Sequence, residues 1–320
     1  MVISQIANIV LPVFGLIAVG YGVAWSGLLT RPAGEALADF VFVIAIPLLI
    51  FRTIATADFS GAEPWRIWLP YFAVLAVIWV VGDFVIRRGF GRDARAGLVG
   101  GVSGSYSNVA LVGIPLVMAA YGHDGVVALA LIIAVHMPVM MTASAMLIGR
   151  AERLDGVGEA HSSILSVARS VVRSLVKSPI IIGLFAGALW RLLGLPYGGG
   201  PTVLVDRLAD VAATLALFAL GMSLRKYGIR RNIPAGIALS ILKLIVMPGV
   251  VLLVARYVVP MPLVWAKVAV IAAACPTGVN AYLIAARFRT GEALASNTIL
   301  ISTGFAVVTA TLWMSVLEWI

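Results

Sequence analysis

Two side-chain amides, Asn108 and Asn280, sit deep in apolar sequence at matching places in the two halves of this chain. Each offers two N–H donors and one acceptor, and Ser105, Ser107 and Thr277 supply hydroxyls beside them. Brought together, such groups can hold an anion by hydrogen bonds, and they are the expected ligand contacts; the alternative, above all for the serines, is that they bond one another across closely packed helices. The sequence around them says how they would meet. Residues 100–115 pack four glycines, three serines, an asparagine and a proline into sixteen positions, and residues 274–281 read Ala-Cys-Pro-Thr-Gly-Val-Asn-Ala. Glycine adds backbone freedom, and proline lacks an N–H and clashes with the carbonyl four residues back. Gly104, Pro115, Pro276 and Gly278 are therefore the expected break points. Two broken helices crossing at mid-depth would aim half-helix N-termini, with free N–H groups and partial positive charge, at one place.

Three further residues could couple charge to such a site. Lys243 falls well inside an apolar run, where an ammonium is costly unless paired or wetted. It could attract an anion or stand in for a coupling cation; alternatively it could pair with a carboxylate such as Asp83. His136 could titrate near neutral pH, or simply pack as a hydrogen-bonding side chain. Asp39 and Asp210, near helix ends, read as interfacial caps.

The elements that must position these groups are membrane helices. The chain has 320 residues, 62% hydrophobic and only 12% charged, with mean hydropathy +1.06. A soluble domain would run near 45–50% apolar and about 25% charged. Ten apolar stretches are expected to span: 5–25, 36–54, 66–86, 95–121, 125–148, 175–193, 203–224, 234–258, 263–286 and 291–317. In lipid every backbone group must be satisfied internally, so helix is the expected conformation. The single cysteine, Cys275, excludes an intrachain disulfide and a multi-cysteine metal site. No metal motif appears, and no cofactor is expected.

The net charge of +9 would suggest nucleic acid for a soluble protein. Here the basic residues flank apolar runs and set topology instead. Sixteen of the 23 Lys and Arg fall in odd-numbered loops, which places those loops in the cytoplasm and both termini outside. Residues 1–8 carry no basic cluster, so the stretch to Trp25 reads as a first span rather than a cleaved leader. The 149–174 connector, with Arg150, Arg153, Arg169 and Arg173, reads as an amphipathic helix on the cytoplasmic lipid surface.

The halves repeat each other. Pro12, Gly20, Gly27 and Leu28 recur as Pro179, Gly187, Gly194 and Leu195. Leu37-Ala38-Asp39 recurs as Leu208-Ala209-Asp210, and Arg95 with Asn108 recurs as Lys267 with Asn280. Five spans per half is an odd number, so residues 1–148 and 175–320 would form inverted repeats, the architecture of many secondary transporters. Alternating access follows as the expected mechanism.

At these residues the chain resembles the auxin efflux carrier family, which includes plant PIN-type carriers and bacterial malonate-type permeases. The run from Asn108 through Gly113-Ile114-Pro115-Leu116 to Ala120-Tyr121-Gly122 resembles its fourth-helix signature, and Pro276-Thr277-Gly278 with Asn280 its ninth-helix crossover. Residues 217–224 and 243–248 are similar to its seventh and eighth helices. The resemblance implies ten helices on a sodium/proton-antiporter-like fold, with a scaffold (spans 1, 2, 6, 7) and a transport domain (3–5, 8–10). It also implies a homodimer through spans 2 and 7, and a small organic anion, a mono- or dicarboxylate such as malonate, held where helices 4 and 9 cross. Ser107 stands where plant members commonly have proline, and the long cytoplasmic loop of many plant carriers is missing. Both departures point away from auxin and toward a small permease of the prokaryotic cytoplasmic membrane.

Two other readings use the same residues. Gly101-Val102-Ser103-Gly104 matches the G-x-S-G pattern of intramembrane serine proteases, with Ser103 as nucleophile and His136 as base. A cation/proton antiporter shares the expected fold but wants acidic residues at the crossing, and span 5 has none. Coupling to H⁺ or Na⁺ is open for an anion carrier.

Overall fold

The structure, a computed structural model, describes residues 2–57, 63–157, 169, 172–173, 176–229 and 232–320. Most of the connector, where the amphipathic surface helix is expected, lies outside the described residues. The rest is helical, and no strand occurs among the described residues. Six helices there are long and apolar enough to cross a membrane: Ser4–Ser26, Arg31–Thr56, Trp65–Gly89, Val109–Leu154, Ile233–Tyr257 and Glu292–Leu317. This is a polytopic membrane protein.

In chain order the helices are α1 (Val2–Ser26), α2 (Arg31–Phe40), α3 (Ile46–Thr56), α4 (Trp65–Phe84), α5 (Ala94–Ser105) and α6 (Ile114–Leu154). The second half adds α7 (Pro179–Leu192), α8 (Gly200–Asp210), α9 (Ala212–Leu224), α10 (Ile233–Ile241), α11 (Met247–Tyr257), α12 (Leu263–Ala274), α13 (Asn280–Arg287) and α14 (Glu292–Leu317). Helix α6 is too long for one crossing at 1.5 Å per residue. It is divided by Gly122, whose φ of 61° and ψ of −148° no helix accommodates.

Three prolines widen helices instead of ending them. The π-helical turns Val41–Ala45, Val109–Gly113 and Leu242–Val246 precede Pro47, Pro115 and Pro248. Each turn is centred four residues before its proline, on the carbonyl that the ring would otherwise strike. The wider π turn swings that carbonyl aside, so α2 runs on into α3 and α10 into α11. The carbonyl of Leu244, left without the amide of Pro248, accepts the Trp313 indole N–H at 2.8 Å.

With lipid outside, helices associate through close packing of small residues rather than through hydrophobic burial. A methyl group on Gly20 of α1 would strike the Phe218 carbonyl of α9, and one on Gly221 the Ile17 carbonyl. Gly183 and Gly187, one turn apart on α7, lie equally close to the carbonyls of Pro47 and Phe51 on α3. Gly183→Val and Gly221→Val each force two backbones apart. Overpacking of this kind costs about 1–3 kcal/mol or more, so both variants should show a lower melting temperature and poor recovery of folded protein from detergent. Gly15→Val, where a side chain meets open space, should match the parent.

The amino end of α5 is fixed from a distance. Asp93 caps it, accepting the Ala96 amide at 2.7 Å. Asp155, just past α6, accepts the Ala94 and Arg95 amides at 2.8 and 3.0 Å and the Arg95 guanidinium Nε at 3.0 Å. Partial burial opposes ionisation of the Asp155 carboxyl, but these hydrogen bonds and the Arg95 charge outweigh it and hold the group below the usual carboxylate range. Its stabilising contribution is therefore complete above the unfolded pKa and disappears as pH falls through the lower folded value. Asp155→Ala should cost about 1–3 kcal/mol at pH 7. The difference from the parent should shrink when melting is followed below about pH 4.

Candidate functional site

The chain leaves helical geometry at Tyr106–Asn108 and again at Cys275–Val279. At these breaks the two segments cross antiparallel. Ser107 and Thr277 form a β-bridge, the Asn108 amide donates to the Pro276 carbonyl at 2.9 Å, and the Gly278 amide donates to the Tyr106 carbonyl at 2.8 Å. Backbone groups that the breaks free from their helices thus satisfy one another, which is what burial at this depth demands. The Thr277 hydroxyl adds a bond to the Ser103 carbonyl at 2.8 Å, and the Ser302 hydroxyl receives the Thr277 amide at 3.0 Å.

A cavity of about 680 Å³ opens against the crossing, within the range typical of small-molecule sites. Tyr106, Ser107, Asn108, His136 and Asn280 form its polar wall. Phe42, Val43, Ile133, Met137 and Leu283 make the rest of the lining apolar. Arg173 and Lys177, both exposed, and Ser178, at the start of α7, complete it. No carboxylate among the described residues lines this space. It is an anion-compatible cavity.

Asn108 has two duties. Its Oδ1 accepts the Leu111 amide at 3.3 Å, capping the resumed helix, while its Nδ2 is buried without a hydrogen-bond partner among the described residues. Asn280 donates through Nδ2 to the Tyr106 hydroxyl at 2.7 Å. The Tyr106 ring meets the His136 ring edge-on at 4.7 Å, and Tyr71 also packs against His136, with its hydroxyl 3.5 Å from Nδ1.

A family model described as "Membrane transport protein" matches residues 5–314. The chain belongs to that family. It is the auxin efflux carrier family whose signature residues 108–122 resemble, and its members are membrane transporters rather than enzymes. A Rhizobium meliloti (strain 1021) protein named "Putative malonate transporter" is 30% identical over 320 residues, covering 96% of this chain and 94% of the relative. A Methanothermobacter thermautotrophicus protein named "Uncharacterized transporter" is 25% identical over 316 residues, covering 96% of this chain and 97% of the relative.

The transporter brings Asn108, Asn280, Ser107, Gly278 and His136 together at the cavity. Ser105 and Thr277, expected as ligand contacts, are placed otherwise: both are buried and absent from the lining. The Ser105 hydroxyl turns back to the Gly101 carbonyl at 2.8 Å, the usual outlet for a helical serine, and Thr277 spends its own in tying the crossing. Gly104 is helical, and Pro115 lies beyond the break, in the first turn of α6. The chain breaks between them because Asn108 and the antiparallel bridge capture the backbone there. Pro276 does sit in the second break. Asp83 is not the partner of Lys243: it pairs with Arg87 at 3.5 Å, one turn away. Lys243, fully buried, donates to the Ala273 carbonyl instead.

Ser103, the nucleophile of the protease reading, is fully buried in α5 and does not line the cavity. Family membership and this position together dispose of that reading. Sequence reasoning missed Tyr106, Arg173 and Lys177. The position of Tyr106, two residues before Asn108 in a broken run, was a usable signal.

Proposed function

We propose that the transporter is a secondary carrier of small organic anions, mono- or dicarboxylates in the class of malonate. It would bind them at the crossing of its fourth and ninth spans and move them by alternating access. One observation carries this reading: Asn108, whose buried Nδ2 has no partner among the described residues, lines the cavity at the crossing together with Asn280, and no carboxylate among the described residues joins them there. A cation antiporter would need the opposite polarity there. The name of the Rhizobium relative agrees with the substrate class.

The reading includes ten spans in two inverted five-helix repeats, 1–148 and 175–320, joined by the 149–174 connector. Gly27 and Gly194, equivalent under the repeat, both take left-handed φ, 76° and 62°, which supports it. Spans 1, 2, 6 and 7 would be the scaffold and 3–5 with 8–10 the moving part. The close glycine seams of α1 with α9 and α3 with α7 fall within that scaffold. The cavity lies where the two groups meet, as rocking or sliding of one against the other requires. Residence in the cytoplasmic membrane with both termini outside, and dimerisation through spans 2 and 7, complete the proposal. With the inside negative, anion uptake needs a co-moving H⁺ or Na⁺, whereas export does not.

A melting-temperature screen of the purified protein against mono- and dicarboxylates, with and without sodium and across pH, tests the reading, because ligands of the folded state raise its apparent stability. A carboxylate hit that Asn108→Ala removes supports it. Stabilisation by inorganic cations alone, untouched by that variant, would restore the antiporter alternative.

A further inference from the structure

The connector reaches the cavity. Its Arg173 reads from sequence as a lipid-surface charge, yet Arg173 and Lys177, just beyond the connector, lie on the cavity wall and are exposed, so they stand where that space meets solvent. Ser178, Pro179 and Ile180 continue the same wall, and they are the start of α7. The first backbone bond of that helix runs from the Ile182 amide to the Ser178 carbonyl at 3.0 Å, which leaves the amides of Ile180 and Ile181 at its open end. Ser178 does not cap that end with its side chain. Two full positive charges and the partial charge of a helix N-terminus thus share one rim. Asn108, whose buried Nδ2 has no partner among the described residues, lines the same cavity, so rim and wall are both short of acceptors.

We propose that Arg173, Lys177 and the open start of α7 form a recruiting vestibule that draws carboxylates toward the crossing and favours doubly over singly charged ones. This rests on the anion-carrier reading and adds a substrate preference to it. The preference follows from Coulomb's law. At a wet rim two cations act on a ligand some 8 Å away through water and salt, and the interaction free energy doubles when the ligand charge doubles. At ~0.1 M salt, removing both cations should weaken capture of a monoanion about twofold and of a dianion about fivefold. Capture affects the concentration needed for half-maximal transport, not the later conformational step.

The test uses full-length protein in inside-out vesicles of zwitterionic lipid, so that the connector faces the bath, with uptake of labelled malonate and labelled propionate measured at equal salt on both sides. For the double variant Arg173→Gln/Lys177→Gln, the KM for malonate should rise about fivefold and that for propionate about twofold at ~0.1 M salt, with maximal rates unchanged. The gap should close at ~1 M salt, where the Debye length is about 3 Å. Arg173→Lys/Lys177→Arg, which keeps both charges, should behave as the parent. An unchanged malonate KM, equal effects on the two anions, a gap that persists at high salt, or a parent that carries neither anion would each overturn the vestibule. Asn108→Ala separates the two claims: if it transports as the parent does while the double variant shows the charge-dependent loss, the crossing site fails and the vestibule stands.

Discussion

Asn108→Asp should lose carboxylate binding by at least about a hundredfold and should fold less stably than the parent, because a buried carboxylate oxygen without a donor costs several kcal/mol. The substitution changes one face of the residue and keeps the other. The Oδ1 that accepts the Leu111 amide remains an oxygen, now charged, and a carboxylate suits the start of a helix at least as well as an amide does. The buried Nδ2, without a partner among the described residues, becomes a second negative oxygen. A hydrogen bond to a charged ligand worth about 1.5–3 kcal/mol is lost. Repulsion between two like charges about 4 Å apart adds about 4 kcal/mol at an effective dielectric of 20. Their sum exceeds the 2.7 kcal/mol or so that a hundredfold loss represents. Asn108→Ala, by contrast, removes donor and cap together and buries no charge, so its loss of binding should come with a smaller stability loss of about 1 kcal/mol. Comparing melting curves of the two variants with and without malonate separates cap from contact. Undiminished stabilisation of the aspartate variant by malonate would place the ligand elsewhere.

The parts of this site legible in the sequence are those whose backbone chemistry is local. Glycine, serine and proline in an apolar run announce that a helix cannot continue, and the repeat between Asn108 and Asn280 links the two interruptions. Where the backbone breaks is a tertiary matter. Tyr106–Asn108 opens because Pro276 and Gly278 from the other segment supply its hydrogen bonds, and no local pattern contains that partner. Pro115 misled for a related reason: a π turn centred on Leu111 absorbs its ring, so a residue expected to end a helix lies inside a continuing one. Hydroxyls were similarly ambiguous. Ser105 and Ser107 are two residues apart, yet one bonds its own helix and the other lines the cavity, because the helix ends between them. Arg173 was read as a surface charge because the spacing of the connector's arginines fits an amphipathic helix, and spacing does not say which surface the helix meets.

Lys243→Met should change transport far more than stability. The ammonium is fully buried in the π turn Leu242–Val246 and donates to the Ala273 carbonyl, next to the last residue of α12 and just before the second break. Carbonyls at a helix C-terminus carry a partial negative charge of about half an electron, so the lysine offsets the unfavourable end of a half-helix that stops inside the membrane. Methionine of similar length leaves that carbonyl unpaired, at about 1–3 kcal/mol. It also removes the desolvation cost of a buried ammonium, several kcal/mol of opposite sign. The two effects offset, and the melting temperature should move by only a few degrees. Nothing replaces the positive charge near the proposed anion site, so on that proposal malonate uptake should fall at least about tenfold, about 1.4 kcal/mol in transition-state terms. Parental uptake by the methionine variant would reduce Lys243 to a packing role. Lys243→Ala goes one step further, because it opens room beside the Ala273 carbonyl for a hydrated cation. If the ammonium does the work of such an ion, sodium should raise the melting temperature of the alanine variant and leave the parent unmoved. An alanine variant indifferent to sodium would show that this lysine balances the helix end without standing in for a coupling ion.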